Sequence, residues 1–351
     1  MISEGFFLPA STTQKAVFLA EAAHCGFELA GVAPAGPMDD YPIYQQWVSD
    51  GMAGPMGYLA DHRAAIRQDP RQLLASARSV LCLGKLYKTE EISHDAAPGI
   101  GFVSRYAWGA VDYHDLLRES LERLVERLTA RLGSFSHRIC VDTAPLLERS
   151  HARLAGLGWI GKNTCLINQM QGSWFFLGFV LTDLALPPDA PPPDRCGTCR
   201  RCIDACPTAA IVRNEPNLGS GWRVDARLCL STLTIETKGP APEATRAATG
   251  AHLFGCDICQ EVCPWNRKSP VTAEPGFQPV HAQPDLDEMA ALTPEEFRQR
   301  FRRTPLWRAK YSGWLRNVAT AMGNSGKRTH RPALETLAKS PDEGVAEHAR
   351  W

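Results

Sequence analysis

Eight of the 12 cysteines in this chain crowd between Cys196 and Cys263, and their spacing constrains the fold more than any other feature. The first run is Cys196-x-x-Cys199-x-x-Cys202-x-x-x-Cys206-Pro207; the second is Cys256-x-x-Cys259-x-x-x-Cys263-Pro264, with Cys229 alone between them. A run of the first form gives three thiolates to one 4Fe-4S cubane while its fourth reaches across to a second. Two cubanes need eight thiolates and the runs hold seven, so Cys229 completes the set. The cross-over assigns Cys196, Cys199, Cys202 and Cys263 to one cluster, and Cys206, Cys229, Cys256 and Cys259 to the other. Paired Cys-x-x-Cys units also build four-thiolate zinc sites, which stand as the alternative, although zinc needs neither the further cysteine nor the Cys-Pro endings. Cys25, Cys82, Cys140 and Cys165 lie in apolar contexts and read as inert buried thiols.

A chain of 351 residues, 44% hydrophobic, can fill two or three domains without disulfides. No apolar run approaches the roughly 18 residues of a membrane span, and the opening MISEGFFLPASTTQK lacks a basic flank, so the expectation is a cytoplasmic protein without membrane contact. In a reducing compartment this many cysteines point to metal or redox chemistry. Lys plus Arg (38) balances Asp plus Glu (38), so net charge alone does not ask for a nucleic-acid partner. The distribution is less even: ten Lys and Arg residues fall between Arg298 and Arg331 without one acidic residue, either a solvated helix face or a surface for phosphates. Nothing in the pattern asks for an obligate dimer, and a monomer is expected.

The first 185 or so residues alternate helical and extended patterns, which predicts a layered α/β (α+β) domain over 1–187. Helices are predicted over Thr12 to Ala23 and Tyr113 to Leu132, and strands over Ser79 to Tyr87, Arg138 to Val141, Thr164 to Ile167 and Trp174 to Leu184. Leu186 to Arg195 (LPPDAPPPDR) is too proline-rich for either and reads as a stiff linker. A two-cluster ferredoxin-type domain is expected over 188–272. A small HEAT-like helical module follows over 273–351, with helices at Thr293 to Arg302, Gly313 to Met322 and Pro332 to Lys339, broken by Gly323-Asn324-Ser325-Gly326. The 26 residues between Cys229 and Cys256 exceed what a plain ferredoxin carries and leave room for a second redox partner.

With the cysteines placed, the rest of the chain resembles the epoxyqueuosine reductases, a cobalamin-dependent family that completes queuosine in tRNA. The resemblance is carried by Ser104-Arg-Tyr-Ala-Trp-Gly109 with Asp112-Tyr-His114, by Val141-Asp-Thr-Ala-Pro-Leu-Leu-Glu-Arg149, and by Gly156-Leu-Gly-Trp-Ile-Gly-Lys-Asn-Thr164. It continues through Cys229-Leu-Ser-Thr-Leu-Thr-Ile-Glu236, Gly255-Cys-Asp-Ile-Cys-Gln260, Val262-Cys-Pro-Trp-Asn266 and Leu315-Arg-Asn317. It implies an N-terminal cobalamin-binding domain similar to that of reductive dehalogenases, then the ferredoxin domain, then a helical repeat. The implied reaction removes an epoxide oxygen from the modified wobble nucleoside, consuming two electrons and two protons and giving an alkene and water. The implied partners are a tRNA anticodon stem-loop carrying epoxyqueuosine and a low-potential electron donor.

The resemblance places the proton donor on Asp142, kept protonated by burial against the corrin. Read without it, Asp142 or Thr143 caps a helix that Pro145 begins. Cofactor contacts are expected at Tyr106, Asn163, Ser231, Cys256 and Asp257, beside the cluster of Cys206, Cys229, Cys256 and Cys259. Contacts to tRNA are expected at Lys238, Arg302 and Arg303. The competing readings are a dehalogenase-like cobalamin enzyme acting on small organohalides, and a ferredoxin-type electron carrier without catalysis of its own.

Overall fold

The computed structural model describes residues 10–90, 99–214 and 221–351. Its N-terminal part is built on a four-stranded sheet of Leu29–Pro34, Ser79–Leu86, Phe175–Thr182 and His137–Cys140, in that spatial order. Every pairing in it is antiparallel, so the layers are those of an α+β domain. The two central strands are near-continuous apolar runs because both faces are covered. On one face the helices Ala10–His24 and Tyr113–Leu132 lay down Phe18, Leu117, Leu121 and Leu124 against Leu83 and Val180. On the other, the helix Glu148–Leu154 brings Ala152 against Cys82, Phe179 and Leu181. That helix approaches so closely that a Cβ on Gly31 would stand 2.1 Å from the Ala155 carbonyl oxygen.

Two boundaries have local causes. Asp112 accepts the His114 amide to start the Tyr113–Leu132 helix, and Gly133, at φ 85°, ends it. The predicted strand at Thr164 to Ile167 is only Leu166–Ile167, paired with Trp159–Ile160 in a tight hairpin. The helix beginning at Glu148 has no side-chain cap, so neither Asp142 nor Thr143 serves that purpose.

The C-terminal helices share a core with the rest of the chain. Phe297, Phe301, Trp314 and Met322 pack with Val103, Trp108, Leu253 and Phe254, and the strand His252–Phe254 pairs in parallel with Phe102–Val103. The break predicted over Gly323-Asn324-Ser325-Gly326 falls at its last residue: the helix runs Lys310–Ser325 and ends at Gly326, left-handed at φ 66°. Glycine inside a helix costs about 1 kcal/mol, which the buried face of this one offsets. A further helix, Glu343–Arg350, packs along it. Arg316 corrects the picture of one basic surface. It is buried, and its guanidinium donates to the carbonyls of Leu233 (2.8 Å), Thr237 (2.6 Å) and Gly239 (3.0 Å). Among the described residues, no helix is long and apolar enough to cross a membrane.

Candidate functional site

Cys196, Cys199, Cys202 and Cys263 line one cavity of about 340 Å³, shared with Lys162, Asn163 and Trp265. Burial and the other three thiols push Cys202 up to about 11. In the second group, burial pushes Cys256 up to about 12, with Cys229 and Cys206 pressing in the same direction. Thiols crowded this way shed their protons only to a cation that gathers them. The first cavity exceeds what four thiolates about 2.3 Å from a zinc ion would enclose. Among the described residues, no three His, Cys, Asp or Glu side chains converge on a single-ion site. The donor set, soft sulfur around a roomy cavity, suits a cubane.

The segment 156–165 wraps both groups of thiols. Trp159 packs against Cys196 and Cys263, and Lys162 Nζ donates to the carbonyls of Gly197 (2.6 Å) and Cys199 (2.8 Å). Buried Asn163 donates to the Cys259 carbonyl (3.2 Å) and accepts the Cys165 amide (3.2 Å). Cys165 lies beside Cys259, and a hydrogen bond between the two thiols lowers Cys165 from its ordinary value. Ser231 offers its amide to the Cys229 thiol at the start of the Leu230–Ile235 helix. Asp257 is buried with both oxygens engaged, one by the Ser104 hydroxyl and one by the Arg105 amide (2.5 Å), which ties the neighbour of Cys256 to the 102–105 segment.

A second cluster of chemistry surrounds Asp142. Its backbone is left-handed (φ 48°), in a turn closed by Thr143 N–H donating to the Val141 carbonyl at 2.5 Å. Such a conformation is costly for an aspartate and concentrates at functional sites. Its carboxylate lies 3.1 Å from His114 Nε2, whose Nδ1 lies 2.6 Å from Asp112 Oδ1. Arg308 approaches Asp142 at 4.0 Å, pairs with Glu236 at 2.7 Å and donates to the Tyr58 hydroxyl at 3.0 Å. The rings of Tyr106, Tyr113, Phe176 and Phe254 pack together beside it.

Two groups of this cluster titrate against their burial. Burial alone would lower His114, but its bonds to Asp112 and Asp142 outweigh that and carry it to about 9. Burial would raise Asp142, yet the His114 bond and charge, with Arg308, bring it below the usual carboxylate range. Asp142 is therefore held in its ionised form by His114 and Arg308, with its side chain 43% exposed. The raised carboxyl is Glu148, which burial and the Asp142 charge push up to about 8; its Oε1 is buried without a hydrogen-bond partner.

Lys238 is exposed, in a loop whose carbonyls at Thr237 and Gly239 anchor on Arg316. Arg302 and Arg303 are exposed just after the Pro294–Phe301 helix, with no ion-pair partner among the described residues. Their neighbours are neutralised, Arg298 by Glu295 (2.8 Å) and Arg300 by Glu288. His114 and Glu148 fall within the sequence motifs, but sequence reasoning gave neither a role. It missed Arg308 and Tyr58, which lie 250 positions apart and carry no local signal.

Paired thiol sets coupled to a charged cleft define an iron–sulfur oxidoreductase, and residues 195–266 match the 4Fe-4S double cluster binding domain. Residues 67–143 match a family model described as epoxyqueuosine reductase QueG, DUF1730. The epoxyqueuosine reductase of Xanthomonas campestris is 40% identical over 94% of this chain and 92% of its own. That of Pseudomonas aeruginosa is 42% identical over 93% and 90%. A selenomethionine-labelled epoxyqueuosine reductase superposes with a TM-score of 0.87 at 28% identity, covering 97% of this chain and 90% of that one. An epoxyqueuosine reductase with a tRNA-Tyr epoxyqueuosine-modified tRNA stem loop superposes with a TM-score of 0.86 at 28% identity, covering 97% and 89%. The chain belongs to the epoxyqueuosine reductase family.

Proposed function

We propose that this chain reduces epoxyqueuosine to queuosine in the anticodon loop of tRNA, using cobalamin held in the cleft before Asp142 and two 4Fe-4S clusters. The observation that carries the reading is the meeting of Asp142, His114 and Arg308 beside an aromatic wall, in a chain of this family. An apolar floor of Tyr106, Tyr113 and Phe176 with a polar rim of Asp142, Glu236 and Arg308 suits a flat macrocycle edged with amides. Reduced cobalamin supplies a carbon-seeking nucleophile, and the clusters supply electrons one at a time.

The chain's own residues manage protons and position. Opening an epoxide expels an alkoxide, and a positioned acid lowers that barrier. His114, charged at neutral pH, holds a proton on Nε2 against Asp142 Oδ2. The His114–Asp142 pair is thus the acid, with Asp142 as the atom nearer the substrate and Asp112 fixing the ring. Asn163 and the Ser231 amide hold the inner cluster ligands Cys259 and Cys229. We assign the cluster of Cys206, Cys229, Cys256 and Cys259 to the cofactor side, because the insertion belongs to it. Tyr106 meets the cofactor by its ring, and buried Asp257 acts through the 102–105 segment that it fixes. Lys238, Arg302 and Arg303 meet tRNA phosphates around unpaired bases. The parts 1–187, 188–272 and 273–351 correspond to cofactor, cluster and RNA functions, in a cytoplasmic monomer.

An anaerobic single-turnover assay on epoxyqueuosine-bearing tRNA tests the role of Asp142. Asp142→Asn is expected to bind cobalamin, seen by its absorption, and to turn over about 10²–10⁴-fold more slowly. Equal rates would remove Asp142 from the acid.

A further inference from the structure

The clusters need electrons from outside the chain, and the thiols of the first group line a cavity. Cys196, Cys199 and Cys202 are half-buried around it, with exposed Arg195 and Arg201 among the residues of its wall. The second group of thiols lies under the insertion, whose Leu230, Leu233 and Ala241 pack with Cys256. Pro264 and Trp265 add an apolar edge to the first cavity, with Trp265 packed edge-on against Trp159. Arg267 and Lys268 follow directly and are exposed. Lys162 adds a cation in the wall itself.

The carboxylates adjacent in sequence are engaged. Asp194 accepts the Cys196 amide at 2.7 Å, and Asp204 pairs with Arg200 at 3.0 Å. None lines the cavity. A small apolar patch ringed by cations beside a redox centre is built for brief encounters with an anionic surface. Electron-transfer complexes are small, and charge complementarity sets their on-rates more than their affinities.

We propose that this face, with Arg195 and Arg201 beside the Pro264–Trp265 edge, is the docking surface for a small acidic one-electron carrier protein. The proposal rests on the reading that the four thiols hold a cluster that passes electrons inward. The carrier gives one electron per encounter to the cluster of Cys196, Cys199, Cys202 and Cys263 and leaves oxidised. Arg195 and Arg201 steer it, and the Pro264–Trp265 edge brings its redox centre close.

The test is stopped-flow reduction of the reconstituted full chain, followed by loss of cluster absorbance. A reduced acidic plant-type ferredoxin is one donor; photoreduced deazaflavin, a small uncharged reductant, is the other. With the ferredoxin, the Arg195→Glu/Arg201→Glu variant is expected to be reduced at least about 10-fold more slowly at low ionic strength, where charges act over about 30 Å. The gap should close as salt rises. With deazaflavin, wild type and variant should be reduced alike, at equal iron content. Ferredoxin rates indifferent to both salt and charge reversal would overturn the docking surface while leaving the clusters standing. Failure of deazaflavin to reduce wild type would overturn the cluster reading beneath it.

Discussion

At the cleft, three side chains divide the charge between them: ionised Asp142, protonated His114 and neutral Glu148. His114 is raised, so its pairing contributes stability in full below its ordinary value near 6.5, and that contribution is lost as pH rises through about 9. Asp142→Asn removes one of the two carboxylates responsible, and histidine NMR should then show His114 titrating well below 9; an unmoved titration would mean that Asp112 alone sets it. Glu148 has the same sign from a different cause. Its folded value of about 8 lies above its ordinary 4.5, so the fold binds the extra proton and stability falls from pH 5 to pH 8. Glu148→Gln keeps the neutral shape and should flatten that fall, leaving the variant about 1–3 kcal/mol more stable than wild type above pH 8. Thermal unfolding across pH measures this, and parallel curves would contradict it. At this scale the spacing of the cysteines pointed to the four that line the first cavity, because ligand spacing is local. The sequence did not carry the charge state of Asp142, which depends on His114 and on Arg308 from distant parts of the chain.

Among the elements, the Lys310–Ser325 helix does most to join the parts. Arg316 on it satisfies carbonyls of the insertion, and Asn317 donates to the carbonyls of Thr234 and Leu253 (both 2.8 Å). Arg316→Ala leaves the buried Leu233 carbonyl and the part-buried carbonyls of Thr237 and Gly239 without this donor and should cost about 2–4 kcal/mol, lowering the apparent melting temperature. Reversing Arg302 and Arg303 should leave stability within about 0.5 kcal/mol and weaken tRNA binding, flattening its salt dependence by about one slope unit for each phosphate no longer neutralised. An unchanged salt slope would place the RNA elsewhere. The Tyr113–Leu132 helix was legible to its last residue, since its stripe, its Asp112 cap and Gly133 all agree. The last turn of the Lys310–Ser325 helix was not, because burial against Glu343–Arg350 is a tertiary effect that carries the helix through Gly323 before Gly326 ends it.

Taken whole, the molecule is one shared frame rather than three beads. The 102–108 segment of the N-terminal part, the strand ahead of Cys256 and the C-terminal helices build a single core, while Arg308 reaches from the C-terminal part to Asp142, Glu236 and Tyr58. The contacts that join the parts were not legible in the sequence, because they rest on pairings between residues more than 100 positions apart, such as Ser104 with Asp257. The central claim is that electrons cross this frame through the thiolate-bound clusters into epoxide reduction. Its most direct measurement is anaerobic conversion of epoxyqueuosine-bearing tRNA by the reconstituted, cobalamin-loaded chain, wild type beside Cys259→Ser, with product read by mass spectrometry. Wild type is expected to form queuosine, and the variant to bind the tRNA but not convert it. Equal conversion by both, or none by wild type with both clusters and cobalamin in place, would contradict the account.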